Sequence, residues 1–415
     1  MGITHGVLAR SDVLVCDTVD GGVDPNAGPE GAPHVRHAAS PHGIGGSSTI
    51  PALPLDAIDT PALLVDLPTL RANIDRVARA AAEADLELRP HIKAHKTPEI
   101  ARMQIKAGAA GVTAAKVGEA EAMVEGGMTD VFIANEIVGE GKLHRLARLS
   151  GRARFSLACD SVTVAEAYSV VFADEGLTMD LLIEVDLGAH RCGVPPEDAL
   201  GLANAIGGLP SLRVVGVMGY APMGYGVRTW AERDAAAAEE GRLLAQVAAA
   251  LAAGGHDMTR ISGGCTPTAT RYRKGCGLTE IRSGTYVFYD MNQVDLGVAS
   301  VDDVAATVLA TVISTPSPGR AIVDAGSKAL ATQVKPISPG HGFVKGNRGA
   351  VIDQLNDEHG YLDLTQAQRG VRIGEKIELI PPRICTALNL YDELYLVEDG
   401  QVAEKCRVTG RGKSQ

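Results

Sequence analysis

From Ala62 onward the chain alternates short β-branched runs with Ala-rich segments whose apolar residues recur at helical spacing, and this rhythm restricts the fold more than any other feature. The runs Leu88–Ile92, Gly111–Ala115, Val131–Ala134, Arg154–Ala158, Leu181–Val185, Val214–Met218, Arg260–Ser262 and Glu280–Arg282 read as strands. Between and around them, Thr69–Ala84, Pro98–Ala107, Gly118–Glu125, Thr163–Phe172 and Trp230–Ala253 read as helices. Setting aside the earlier run Ala62–Val65, eight strands with crossover segments fit between Leu88 and Tyr289, which is the arithmetic of a closed (β/α)8 TIM barrel. A doubly wound open sheet is the competing architecture, but no GxGxxG follows an early strand. After Asp290 the rhythm changes to strands joined by Gly, Pro and Asp turns, without long helices, so an all-β domain follows. The expected division is an extension over 1–50, a barrel over 51–295 and a C-terminal β domain over 296–415, with 59–66 returning to pair with that domain.

The chain has 415 residues, 45% hydrophobic, enough to bury one large core and a second, smaller one. Its formal charge of −11 repels phosphate backbones and anionic lipid, and 1 Trp with 5 Phe gives little to stack bases on. Nucleic acid and membrane are therefore not expected partners. The 7 cysteines are odd in number, scattered and without CxxC, which suits reduced thiols in a cytoplasmic protein. Residues 1–50 hold 9 Gly and 4 Pro, with no Lys and little periodicity, and read as a loosely ordered arm. Its histidines, His5, His34, His37 and His42, are too irregularly spaced for a metal tract.

The segment Arg89-Pro-His-Ile-Lys-Ala-His-Lys96 ends the first expected barrel strand, at the end of the barrel where active sites lie. Period-2 alternation would put His91, Lys93 and His95 on one side, pointing into the mouth. A lysine desolvated and crowded by cations loses its proton readily and becomes the free amine that Schiff-base chemistry needs. Ser262-Gly-Gly-Cys-Thr-Pro-Thr268 and Arg282-Ser-Gly-Thr-Tyr286 follow the last two strands, where barrels commonly bind phosphate, and Gly219-Tyr220 follows the sixth. A reactive lysine facing a phosphate cradle describes a pocket for pyridoxal 5′-phosphate.

The stretches RPHIKAHKTPEIA (89–101), AAKVGEAE (114–121), IEVDLGAHRCGV (183–194), SGGCTPT (262–268), TEIRSGTYVFYD (279–290), VDAGSKAL (323–330), LNDEHG (355–360) and RICTALNLYDELYLVEDGQV (383–402) occur in one order along the chain. Together they resemble the D-threonine aldolase and D-serine dehydratase family, fold-type III pyridoxal-phosphate enzymes with an alanine-racemase-like barrel and a β domain. The resemblance implies that Lys93 forms the imine to the cofactor aldehyde and that Arg191 lies near the cofactor ring. It places Tyr220 beside the ring or its phosphate, and Gly263, Gly264, Gly284, Thr285 and Tyr286 around the phosphate. An arginine near the ring nitrogen would temper the ring's electron-sink strength; the alternative for Arg191 is a salt bridge to Glu184 or Asp186.

One departure stands out. The family's metal-dependent members present a His-x-Cys or His-x-Asp pair in the β domain, whereas this sequence has Arg383-Ile-Cys385 there. Guanidinium is not a metal ligand and one thiolate makes a poor divalent site. Cys385, His359 and Asp392 are the candidates for a different metal site, and no catalytic metal is expected. A forked guanidinium suits a carboxylate, so Arg383 is expected to meet a second acidic group of the substrate. The activity implied is a lyase for a small β-hydroxy D-amino acid, by aldol cleavage or by dehydration, with His95, His359 or Lys93 moving protons near Cβ. A racemase or epimerase, and a non-catalytic cofactor carrier, are the alternatives. The resemblance also implies a homodimer in which Arg383 and Cys385 serve the neighbour's Lys93.

Overall fold

The computed structural model describes residues 53–332 and 340–415. The sequence-predicted arm over 1–50, with its histidines, lies outside the described residues.

Eight parallel strands form one sheet in sequential order: Glu87–Leu88, Val112–Ala114, Asp130–Ile133, Arg154–Cys159, Met179–Val185, Leu212–Gly219, Arg260–Gly263 and Glu280–Ile281. The last pairs in parallel with the first, Glu280 to Glu87 and Ile281 to Leu88. The first meets the second through a parallel bridge between His91 and Thr113 and through the N–H of Thr113 donating to Pro90 O at 2.8 Å. The sheet is therefore a closed barrel, and the open doubly wound alternative falls because both edges are paired.

The first strand is shorter than its sequence pattern suggests, and the cause is local. Pro90 has no N–H to give a ladder, and beyond His91 the chain tightens into a 3-10 turn over Ile92–Ala94. Period-2 alternation therefore stops at His91. Helix starts follow ordinary capping chemistry: Asp66 accepts the Thr69 N–H ahead of Leu67–Glu83, and Thr229 forms a capping box with Glu232 ahead of Trp230–Ala253.

The barrel lumen has an apolar layer of Phe132, Ala134, Ala158, Leu182, Val215 and Met218 and a charged layer beside it. Glu280 accepts from Arg89 Nε at 2.8 Å, Arg260 Nη2 at 2.9 Å and Ser262 Oγ at 2.6 Å. Burial alone would raise its carboxyl pKa, but Arg260 and Arg89 hold it down at about 2. The guanidinium groups of Arg260 and Arg282 lie 5.1 and 5.7 Å from the Phe132 ring centroid, so the charged and apolar layers are in contact.

The second sheet has ten strands and is largely antiparallel, built from the segment after Ala306 plus two N-terminal strands. Ala62–Asp66 pairs antiparallel with Ala306–Leu309 and in parallel with Tyr395–Val397. Leu63 and Val65 are fully buried there. One apolar cluster runs from the barrel helices, through Leu70 and Ile74, to Val308, Leu379 and Leu396 of this sheet, so the two parts share a core. Among the described residues no helix is long and apolar enough to cross a membrane.

Candidate active site

A cavity of about 560 Å³ opens at the C-terminal mouth of the barrel, walled on one side by Arg383 and Cys385 of the β domain. Lys93 reaches it from the 3-10 turn rather than from a strand, as an exposed residue between buried Ile92 and Ala94. Desolvation lowers the lysine pKa; the Cys385 thiol opposes this, and the positive charges of Arg191, Arg282 and Arg383 add to it. His91, also in the wall, is driven well below its ordinary pKa by burial and then by Lys93 and Arg282, so it faces the cavity as a neutral imidazole. The lowering runs in the direction that the sequence led us to expect for a Schiff-base lysine.

Arg191 lies over the Tyr220 ring, 4.9 Å from its centroid, and both line the cavity. The salt bridge weighed as its alternative does not form. Asp186 instead accepts from the N–H groups of Gly188 and His190 and from the His190 ring. Glu184 is held above the ordinary carboxyl range by burial, then by the hydrogen bond and charge of Glu136.

The loops after the last two strands supply Gly264, Thr266, Ser283, Gly284 and Thr285 to the wall. Gly264 has φ +97°, which a side chain would strain, and a Cβ on Gly284 would come 2.7 Å from His91 O. At Gly264 the strain is conformational, and at Gly284 the missing side chain lets the last loop approach the backbone of His91. Glu240, buried on the long helix, stitches this side together by accepting the N–H of Gly264 at 3.1 Å and of Ala221 at 3.3 Å, with the Tyr272 hydroxyl as a further donor. Gly263 lies one residue outside the cavity wall, packed against Leu244 and Leu278.

Several expected site residues lie elsewhere. His95 is fully buried behind the turn; its Nε2 donates to Gln104 Oε1 at 3.2 Å, its Nδ1 accepts the Thr97 N–H, and Gln104 Nε2 donates to Tyr286 OH at 3.0 Å. The imidazole therefore acts as a strut from the lysine turn to the last loop, and the Tyr286 side chain points along this strut rather than into the cavity. His359 is exposed in a β-hairpin turn, where its carbonyl accepts the Asn356 N–H. Asp392 is exposed and pairs with Arg411 at 3.1 Å. Cys385, His359 and Asp392 therefore form no common ligand set. Among the described residues the grouping with metal-ligand spacing is Glu136, Asp160 and Cys192, in which the Cys192 thiol is pushed up to about 11 by burial and the nearby Glu136. The donor set beside Arg383 does not fit a divalent cation. Arg383 and Cys385 line the cavity of their own chain's Lys93, where the resemblance implied that they serve a neighbour's.

Sequence reasoning missed Tyr225, Cys265, Arg282, Asp290, Asn292 and Gln293 as wall residues. Arg282 had a readable signal: it shares inward parity with Glu280 on the eighth strand. The spacing of Asp290 and Gln293 is that of a helix cap, and the Asp290 side chain indeed accepts the Gln293 N–H.

The chain is similar to known proteins over both of its parts. Residues 65–292 match the family model described as alanine racemase, N-terminal domain, and 305–397 match the one described as putative serine dehydratase domain. A D-threonine aldolase of Arthrobacter sp. is 34% identical over 88% of this chain and 96% of its own. A D-threo-3-hydroxyaspartate dehydratase of Delftia sp. (strain HT23) is 33% identical over 85% of this chain and 98% of its own. The crystal structure of D-threonine aldolase from Filomicrobium marinum superposes with a TM-score of 0.80 at 35% identity, covering 88% of this chain and 99% of that one. With both domains matched in order and over nearly their full length, the chain belongs to the D-threonine aldolase and D-serine dehydratase family, built on the alanine-racemase barrel.

Proposed function

We propose that this chain is a pyridoxal-phosphate-dependent lyase for small β-hydroxy D-amino acids, that its preferred substrate carries a second acidic group, and that it works without a divalent metal. The observation that carries this reading is the shared cavity of Lys93 and Arg383, in which the lysine pKa is lowered and the arginine makes no ion pair among the described residues.

The cavity residues suit the cofactor. Lys93 would meet its aldehyde, Arg191 and Tyr220 would flank its ring, and Gly264, Thr266, Ser283, Gly284 and Thr285 would surround its phosphate. Bound there, pyridoxal phosphate supplies an electron sink for negative charge developing at the substrate Cα. His91 is kept neutral by burial, so the lowering of the lysine pKa falls to burial and to the guanidinium charges of Arg191, Arg282 and Arg383. Of the residues expected to move protons near Cβ, Lys93 alone lines the cavity; His95 and His359 do not. Arg383 presents a planar fork of donors where the far end of a substrate would lie, and such a fork pairs best with a carboxylate. The relatives include enzymes named for D-threonine and for 3-hydroxyaspartate, and the unpaired guanidinium favours the diacid. We take the enzyme to be a cytoplasmic homodimer; the six described cysteines, all free, suit a reducing compartment.

The test is to mix holoenzyme with D-threonine, D-serine and 3-hydroxy-D-aspartate and identify products by mass spectrometry. Glycine with glyoxylate from the diacid marks aldol cleavage, and oxaloacetate with ammonia marks dehydration. Either outcome, with the diacid turned over fastest, supports the reading. Exchange of the α-hydrogen without product would replace it by a racemase, and no change in the cofactor absorption with any amino acid would replace it by a carrier.

A further inference from the structure

Besides the bond from Lys96 Nζ to Asn389 Oδ1 at 2.7 Å and the shared apolar core, the wall bearing Arg383 is joined to the barrel by a short clasp. The N–H groups of Met291 and Asn292 donate to Pro381 O at 3.1 Å and Pro382 O at 3.3 Å. Pro381 and Pro382 have no N–H to return, so reciprocal bonding falls to the residues after them. The Ile384 N–H donates to Asp290 Oδ2 at 3.2 Å, while Asp290 Oδ1 accepts the Gln293 N–H at 3.0 Å. Asp290 is only 3% exposed and sits in the cavity wall. One carboxylate therefore joins the segment after the last barrel strand to the first turn of Ile384–Leu388, the helix that Arg383 precedes and that carries Cys385. Cys385 Sγ meets Thr285 Oγ1 at 3.5 Å on the same seam.

We propose that Asp290 is a positioning residue: by accepting the Ile384 N–H it fixes the turn of Arg383 and Cys385 against the barrel mouth and so sets where Arg383 meets the far end of the substrate. The last clause rests on the role given to Arg383 above; the docking itself does not. Helix capping alone would not demand an aspartate, since serine caps as well, but a serine at this position is too short to bridge to Ile384. The buried Ile384 N–H would be left without its acceptor, a loss large enough to shift a surface turn.

The test uses holoenzyme carrying Asp290→Ser, which keeps the cap, and Asp290→Asn, which keeps the shape but sets an amide donor or a single acceptor between two N–H groups. Native protein is treated with iodoacetamide, and labelling of Cys385 is followed by peptide mass spectrometry, with Cys276, half-buried on another surface, as the internal standard. Cys385 labelling is expected to accelerate about tenfold relative to Cys276 in both variants. The preference for 3-hydroxy-D-aspartate over D-threonine, as a ratio of kcat/KM, is expected to fall about tenfold, mainly through KM of the diacid. Unchanged Cys385 labelling in a folded Asp290→Ser protein overturns the proposal. Faster labelling in a protein whose parent shows no preference for the diacid supports the docking role and instead removes the substrate role of Arg383.

Discussion

Arg383 of the β domain and Lys93 of the barrel face one cavity, and the guanidinium charge is among the influences that hold the lysine below its ordinary pKa. A single residue thus acts on the lysine through its charge and, in the function proposed above, would also receive an anionic group.

Replacing that guanidinium should separate the two effects. Arg383→Gln keeps polarity and removes charge and fork, and kcat/KM for 3-hydroxy-D-aspartate should fall about 30-fold, the loss of one strong charge-assisted pair. The fall for D-threonine should be several times smaller. Steady-state kinetics on both substrates measures it, and equal losses would contradict the assignment.

Chelation should leave the enzyme unaffected. The ligand candidates Cys385, His359 and Asp392 are dispersed, and Arg383 brings positive charge to the place a dication would occupy. Activity after dialysis against a chelator should equal that of the untreated enzyme. Loss on chelation, restored by zinc or manganese, would refute the metal-free reading.

The barrel was legible because its helices and strands differ in hydrophobic period, and each of the eight expected strands is present. What alternation could not reveal was the 3-10 turn after His91, which keeps Lys93 in the mouth but turns His95 back into the core. Turns of this kind are set by tertiary bonds, here the strut through Gln104 to Tyr286, to which no local pattern in the sequence points. Glu240 was hidden for a similar reason: it is one carboxylate in an acidic, Ala-rich helix, and only the packed structure shows it beneath the loops at Ala221 and Gly264. Arg383 was visible because it interrupts a ligand pattern, whereas Asp290 lay unread inside a quoted motif because its partner Ile384 is distant in sequence.

The His95 strut makes stability depend on pH. Burial lowers its pKa from 6.5 to about 4, so between those values the unfolded chain binds a proton that the folded chain does not. The contribution is whole above pH 6.5 and is lost as pH falls towards 4, by up to about 3 kcal/mol. Urea unfolding at a series of pH values should show this slope in the parent. In His95→Gln it should be reduced by up to about one proton, at some cost in stability at pH 8. An unchanged slope in the variant would place the titration elsewhere.

The most direct test is to locate the covalent bond to the cofactor. Holoenzyme is reduced with borohydride, digested, and the pyridoxyl-phosphate-bearing peptide sequenced by mass spectrometry. The label should lie on Lys93 alone, with Lys93→Ala protein unlabelled and inactive. A label on any other lysine, or turnover by Lys93→Ala at the parent's rate, would contradict the account.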